Sequence, residues 1–541
     1  MSKLSKVKGV LRGLEEMAQV KPLNRDNVQE LINEINYFLR GLSEEIEVYI
    51  AAQVLGLPTL LLGPHGTGKT TLAKAFYNSL VIKDGSDYRP LRKFFLLIKE
   101  RHTPFDVFYS YHLPSLMKGE EKIVPKAISA EAVFLDEPFT NQLITSALKD
   151  FLEEKIYDKF KCKWLFFTAA SNPPNLYYQT VMQLTNLADI DRFDVVIPFE
   201  TELGMNLYDI TSIMAESNTR RTAPEINLKI DVTDIEKVRR KILELKVDCD
   251  AKSWLTMFSH ALCTCTYEDE NGNRYSLDKF SVFEHLPCMN CTFKNHKLCS
   301  KYALQPSRFI RSTIMLAKAI AWLNNSRKVK LKHIRKAVKF TLPLRLIIIN
   351  ESLKHSVPTI KSLVNQCIRD FDEWSSEIGK KFLDELSSLI NSIEQLEFAI
   401  GFDLDLLNNE PVLHQLVLDV LNLVQSARNE LLNLIPSLSE SEVKVLMSAR
   451  DYEIRARASE RYDELKGIVT LKFKKESIEF KKLLKLLFIE GVLSEDDIER
   501  VLTSSRVKIS RNWRGNRVEL IGDSEVLVRC PRELLNQFKL P

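Results

Sequence analysis

Glycine is scarce in this chain, with 17 among 541 residues, and no run of 18 or more apolar residues occurs in it. The first shortage, together with abundant Leu, Lys and Glu, favours a largely helical protein. The second excludes a membrane-spanning helix, and Met1-Ser-Lys-Leu-Ser-Lys lacks the apolar core of a secretion signal. A cytoplasmic, soluble protein with no membrane insertion is therefore expected. Charge of one sign is also lacking: the net charge of +4 is too small to imply a nucleic-acid partner from global electrostatics. Internal repeats and low-complexity tracts are absent as well. What remains is ordinary globular composition, 45% hydrophobic and 27% charged, in a chain too long for one core, so two to four domains are expected. The longest apolar cluster, Leu483 to Ile489, is short and carries Lys485, which suits a buried helix.

The most informative segment is Leu60-Leu-Leu-Gly-Pro-His-Gly-Thr-Gly-Lys-Thr-Thr71. From Gly63 through Pro64, His65, Gly66, Thr67, Gly68 and Lys69 to Thr70 it fits GxxxxGK(S/T), after an apolar run that reads as a buried strand. Glycines let the backbone curl so that successive N–H groups face a β-phosphate, Lys69 reaches the β/γ oxygens, and Thr70 offers a hydroxyl to Mg²⁺. The segment from Thr71 to Leu80 is expected to supply the helix whose positive end lies under the anion.

A phosphate loop binds nucleotide without hydrolysing it, so a metal ligand and a base are expected downstream. Ala132-Val-Phe-Leu-Asp-Glu137 offers both at the end of an apolar run: Asp136 to hold Mg²⁺ through its water shell, and Glu137 as general base. Lys163-Trp-Leu-Phe-Phe-Thr-Ala-Ala170 reads as a further strand that delivers Ser171-Asn172 beside the γ-phosphate, where the plainer alternative is a turn before Pro173-Pro174.

Residues 1–45 read as two amphipathic N-terminal helices, and 46–204 alternate apolar strands with helical patterns, the mark of an α/β parallel sheet covered on both faces. Residues 205–345 form a helical lid with a cysteine-rich insertion at about 260–300. In 346–466, Ile378, Phe382, Leu386, Leu389, Ile393 and Leu396, then Leu413, Leu416, Val420, Leu423, Ala427, Leu431 and Leu434, recur at helical steps and predict a bundle or hairpin. Residues 467–541 read as a small α+β C-terminal domain. Within it Arg506, Lys508, Arg511, Arg514 and Arg517 surround Trp513 with no acid among them, a pattern that fits either a phosphate grip with a stacking ring or a solvated hairpin face.

Five of nine cysteines, Cys263, Cys265, Cys288, Cys291 and Cys299, lie within 37 residues. Outside a secreted context such clustering points to a metal more than to disulfides. The CxC and CxxC pairs can together offer four thiolates to Zn²⁺, with Cys299, His285, His296 or His260 as substitute ligands. An iron–sulfur cluster uses the same ligands, and unmetallated thiols are the third alternative.

On these motifs, over about residues 20–345, the chain resembles AAA+ ATPases of the MoxR type, closest to the RavA-like branch. Gly63–Thr70 corresponds to Walker A, Phe134-Leu-Asp-Glu137 to Walker B, Thr168-Ala-Ala-Ser-Asn172 to sensor 1, Asp191-Arg-Phe193 to the arginine-finger segment and Gln305-Pro-Ser-Arg308 to sensor 2. The lead-in Glu44 to Ala52 and the stretch His102 to Phe108, followed by a short insertion, are also similar to that branch. The resemblance implies that Asn172 orients the attacking water, Arg192 acts on a neighbour's nucleotide, and Arg308 closes the lid on the γ-phosphate. Two departures stand out. His65 replaces a proline or small residue and is expected to alter only the loop's surface, and Pro-Ser-Arg in place of Ser-Pro-Arg leaves Arg311 as a competitor for Arg308. The resemblance does not reach the cysteine cluster.

The function implied is ATP hydrolysis by a ring, hexameric by resemblance, that remodels a protein client or a partner with a von Willebrand A domain. Action on nucleic acid through the C-terminal basic patch is the alternative, and a slow nucleotide-dependent switch or scaffold is the third. Glu137 speaks against the last, since a pure switch has no use for a placed base.

Overall fold

The computed structural model describes residues 20–39, 41–172, 191–199, 226–268, 274–278, 298, 301–304, 306–349, 359–378, 380–395, 411–514 and 516–536. The chain forms two compact units, Met1–Ser387 with Leu404–Leu416, and Ser388–Asp403 with Val417–Pro541.

The first unit is built on five parallel strands: β1 (Thr59–Leu62), β2 (Lys93–Leu97), β3 (Ala132–Asp136), β4 (Phe166–Ser171) and β5 (Val195–Pro198), in the order β5-β1-β4-β3-β2. β1, β4 and β5 are buried at every position and β3 at all but its last, which is why they read as continuous apolar runs instead of alternating ones. Register sets the ends of the strands level: Leu62 pairs with Ser171, and Asp136 with Ala170. The residues after each strand are thereby delivered to one edge.

Two helices precede β1, α1 (Arg25–Phe38) and α2 (Ser43–Leu55). α2 is apolar around most of its circumference and buried from Ile46 through Leu55 apart from Glu47. Its acids are the exception to that apolarity, and each finds a lysine: Glu44 Lys339, Glu47 Lys336 and the buried Glu45 Lys361, at 2.8 to 3.3 Å. These pairs tie the entry to the sheet to the helices that close the unit. α3 (Lys69–Asn78) follows β1, and α4 (Gln142–Glu153) follows β3 after a single turn of 3₁₀ helix. Between β2 and β3 an insertion forms a small hairpin, Tyr109–Tyr111 with Ile123–Pro125, around a short helix Leu113–Leu116.

Beyond the sheet the first unit contains α5 (Ile235–Leu243), α6 (Cys249–Cys263), α7 (Pro306–Leu323) and α8 (Leu331–Thr341), and α9 (Ile360–Ile378) packs with them through Phe371, whose ring meets Trp254 and Phe258 edge-on. After α6 the chain makes a hairpin, Thr264–Glu268 with Arg274–Asp278. Cys263 is buried at the end of α6. Cys288, Cys291 and Cys299 and the side chain of Cys265 lie outside the described residues, and among the described residues no group of His, Cys, Asp and Glu is gathered to hold a metal.

The second unit contains a four-stranded antiparallel sheet of β6 (Ile468–Lys474), β7 (Val507–Trp513), β8 (Asn516–Gly522) and β9 (Glu525–Pro531), ordered β6-β9-β8-β7. Helices Ile478–Ile489 and Glu495–Thr503 share its core, with Phe480, Leu483, Leu487 and Val501 packed among Ile509, Val518, Leu520 and Val528. Trp513 belongs to that core, 4% exposed with its indole N–H donated to Glu490. A stacking platform for bases is therefore ruled out at this ring. Two of the five surrounding cations are held by acids at 3.0 Å or less, Arg511 by Asp497 and Arg517 by Glu519. On the helix Pro411–Leu434 the buried face departs in part from expectation: Leu416 of the expected stripe is inside, with Val417, Val424 and Leu432, while Leu423 and Leu434 are exposed. This helix carries leucine or valine on adjoining faces, so periodicity alone does not choose between them.

In α8, His333 is 1% exposed, its Nδ1 accepts from the Lys330 N–H, and its Nε2 is buried without a hydrogen-bond partner. Burial, then the charges of Lys332, Lys330 and Lys336, pushes its pKa down to about 4. The unfolded chain takes up a proton at about pH 6.5 that the folded chain refuses until about pH 4, so stability falls as pH drops through that window, by ~3 kcal/mol in total. Unfolding midpoints measured between pH 7 and pH 4 are expected to fall less steeply in a His333→Gln variant than in the wild type. An equal pH dependence in both proteins would remove His333 as the cause.

Candidate active site

The phosphate loop leaves β1 at Gly63, whose N–H donates to the Ser171 carbonyl at 3.1 Å. A Cβ there would meet Phe199 Cβ at 2.6 Å and the Phe199 carbonyl oxygen at 2.7 Å, so this glycine is required by close backbone approach from the segment after β5. Gly66 and Gly68 have φ of +84° and +90°, the left-handed region, and Gly68 caps the start of α3. The loop thus wraps a helix N-terminus, where free N–H groups and the helix dipole favour an anion.

His65 through Thr71, with Asp136 and Glu137, line a cleft of ≈ 210 Å³. Lys69 is buried there and donates to the carbonyls of Gly63 and Pro64. Burial pushes its ammonium down from the usual range, and the Glu137 and Asp136 carboxylates push back. Burial likewise raises Asp136, against the pull of Lys69 and of Thr70, whose hydroxyl is 3.5 Å from Asp136 Oδ2. A hydroxyl and a carboxylate side by side are the oxygen donors a hard cation takes, and these two residues would hold Mg²⁺.

Glu137 has φ +53°, a conformation that turns the chain sharply out of β3, and its N–H donates to the Ala170 carbonyl at 2.7 Å. Its carboxylate is clasped by the end of β4. Oε1 accepts from Asn172 Nδ2 at 2.7 Å, and Oε2 accepts from Ser171 Oγ at 3.1 Å and the Asn172 N–H at 3.4 Å. Burial raises its pKa, opposed by these bonds and assisted by the Asp136 charge. A carboxylate whose pKa is raised by burial and adjacent negative charge is a better proton acceptor than a free one.

The structure therefore gathers the predicted loop residues, Asp136, Glu137 and Asn172 in one place. It departs from expectation at His65, whose Nε2 is 3.1 Å from Asn172 Nδ2, so this residue engages the site instead of only its surface. Arg192 and Arg308 are elsewhere. Arg192 is 11% exposed with Nε 3.4 Å from Glu153, and Arg308 donates to the same carboxylate at 2.6 Å and lies 3.6 Å from Asp191. Glu153 ends α4, and Arg192 precedes β5, which puts both arginines at the sheet edge opposite the loop. Arg308 does not close over the phosphate cleft of its own chain in this arrangement. Sequence reasoning passed over Arg345, 6% exposed, which binds Asp191 Oδ1 at 2.5 Å and the carbonyls of Asp191, Phe193 and Asp194. A lone arginine in the apolar run Leu342 to Ile349 was the available signal. Arg311 faces Asp194 electrostatically.

Residues 58–222 match the family model for an AAA domain of the dynein-related subfamily. A structural protein, ORF618, of Acidianus two-tailed virus is 26% identical over 230 residues, 40% of this chain and 35% of that protein, so the chain spans about a third of that relative's length. Among solved structures, a protein from Cytophaga hutchinsonii described as an ATPase is similar with a TM-score of 0.46 at 15% identity, covering 68% of this chain and 98% of that one. A full-length MCM homolog from Methanopyrus kandleri gives 0.33 at 15% identity, with 58% of each chain covered.

A Gly63→Ala variant is expected to lose roughly 1–3 kcal/mol of stability, because the clashing atoms belong to backbone and Cβ and cannot rotate away. Wild-type thermal stability in that variant would show that the segment after β5 yields more readily than the packing implies.

Proposed function

We propose that the chain is a MoxR-type AAA+ ATPase of the RavA-like branch, which assembles into a ring, hexameric by that resemblance, and uses ATP hydrolysis to remodel a protein partner. One observation carries this reading. The loop, Asp136 and Glu137 line one cleft and Asn172 bonds Glu137 beside it, while the candidate trans-acting Arg192 sits at the opposite edge of the same sheet. A neighbour's nucleotide is the one such an arginine can serve.

In the proposed reaction Lys69 and the loop N–H groups seat the β- and γ-phosphates, and Thr70 and Asp136 would hold Mg²⁺, which when bound would supply charge neutralisation at the phosphate oxygens. Glu137 must first leave its clasp with Ser171 and Asn172, because both carboxylate oxygens are engaged there. It then accepts a proton from water as the water oxygen attacks the γ-phosphorus and the bond to the β-bridging oxygen breaks, releasing ADP and phosphate. Arg192 and Arg308, sharing Glu153, are placed to act together toward the adjoining subunit.

The insertion ahead of β3 supports a protein client. Leu113 is 69% and Met117 88% exposed, and Phe105, Leu116 and Val124 are also open to solvent, an apolar grouping unusual on so small a hairpin. The buried Trp513 and the paired Arg511 and Arg517 speak against the nucleic-acid alternative. Zinc at the cysteine cluster stays a proposal that metal analysis of the purified protein decides.

Lys69→Ala is expected to abolish ATP binding, and Glu137→Gln to bind ATP while turnover falls roughly 100-fold or more. Retained affinity in the first, or near-normal turnover in the second, would dismantle the assignment. Arg192→Ala is expected to bind ATP and hydrolyse it poorly. Mixed with Glu137→Gln chains, it should regain activity beyond the sum of the two alone, since one mixed interface holds an intact base and an intact arginine. No gain on mixing would exclude a shared site.

A further inference from the structure

We infer that His65 is a positioning residue for hydrolysis: its imidazole holds the Asn172 amide in the orientation that directs Asn172 Oδ1 to the attacking water once Glu137 turns away. The inference rests on the assignment of Glu137 as the base. Asn172 Nδ2 has two neighbours, Glu137 Oε1 at 2.7 Å and His65 Nε2 at 3.1 Å. A carboxylate only accepts, so the amide end facing it is the nitrogen, and its second N–H is the one aimed at the imidazole. His65 Nε2 then acts as the lone-pair acceptor, with its proton on Nδ1. The other end of the amide, Oδ1, is buried without a hydrogen-bond partner on a residue only 9% exposed. A buried acceptor left unpaired beside the carboxylate that lines the cleft is the atom that suits the O–H of a reacting water.

Glu137 fixes the amide only while it is clasped. When its carboxylate swings to the water, the bond to Nδ2 is lost, and without a second hold the amide is free to rotate and carry Oδ1 off the water. His65 supplies that second hold from the phosphate loop itself, two residues before Thr67 and four before Lys69. The loop that seats the nucleotide therefore also sets the aim of the group that orients the nucleophile.

The test is ATP affinity and steady-state hydrolysis for the full chain and for His65→Ala, His65→Gln, Asn172→Ala and the His65→Ala/Asn172→Ala double variant, with Glu137→Gln as the zero of turnover. We expect His65→Ala to lower kcat roughly 10- to 100-fold with ATP affinity within about twofold. His65→Gln, whose amide oxygen can accept from Nδ2, should recover most of it, and the double variant should be no slower than Asn172→Ala alone. A wild-type kcat in His65→Ala, a loss confined to affinity, or a loss that multiplies with that of Asn172→Ala would each overturn the inference while leaving the ATPase assignment standing. Wild-type turnover no faster than Glu137→Gln would remove the assignment of the base, and this inference with it.

Discussion

The pairing of β4 between β1 and β3 is the constraint on which the site depends. Because all three run parallel and in register, the residues that leave their C-terminal ends emerge side by side: Gly63 after β1, Glu137 after β3, Asn172 after β4. Three backbone bonds then stitch those exits together, from Gly63 N–H to Ser171 O, Glu137 N–H to Ala170 O, and Phe199 N–H to Leu62 O. Polar chemistry is thus mounted on a stack of buried strands, at the edge where parallel α/β sheets commonly bind ligands. Below it, Tyr49 and Tyr77 share the Thr168 hydroxyl, and Gln53 accepts from Tyr77 and donates to the Phe167 carbonyl, so the strand that carries Ser171 and Asn172 is fixed by polar as well as apolar contacts.

Charge balance at that edge is local. Lys69 faces two carboxylates, and burial works against the charged form of all three. Such a triad is tolerable because each group compensates another, and it gains from a polyanion with its cation, which brings charge of both signs into the cleft. At the far edge the same economy recurs with opposite emphasis. Asp191, Asp194 and Glu153 are matched by Arg192, Arg308 and Arg345, and Arg345 does the structural part by capping four backbone carbonyls. Arg192 and Arg308 share the Glu153 carboxylate, and Arg308 also lies 3.6 Å from Asp191.

Elements whose chemistry is written in consecutive residues are legible in the sequence alone. The loop from Gly63 to Thr70, the acids ending β3 and the amide after β4 each come at the close of an apolar run, and a buried parallel strand carries the residues at its C-terminal end to the ligand edge of the sheet. His65, Arg345 and the placement of Arg308 are not legible, for one reason. Their roles are set by partners 107, 154 and 155 residues away, and no local pattern names a long-range partner. Trp513 fails differently: a tryptophan amid five cations reads as a surface feature, yet strand alternation turns its ring inward and its neighbours out. The stripe on Pro411–Leu434 holds at Leu416 but not at Leu423 and Leu434, because apolar residues occupy more of that helix than its partners cover.

The distance between the two edges bears on how hydrolysis and assembly are connected in the proposed function. β1 alone, four residues at about 3.3 Å each, separates them by roughly 13 Å, and β4 is longer. Arg192 and Arg308 cannot span that gap to the cleft of their own chain while Asp191 is caged by Arg345. A single chain then holds a seat for nucleotide, a clasped base and two arginines turned from both. Docking against a second copy would place those arginines at a foreign cleft and draw them from Glu153, whose pKa they now hold down against burial. Release of Glu153 at one interface and of Glu137 at the next would be costly singly, since each leaves a partly buried carboxylate short of partners. In the proposed ring, nucleotide binding and subunit contact would together supply the replacements, and turnover would be faster in the assembled state than in free chains.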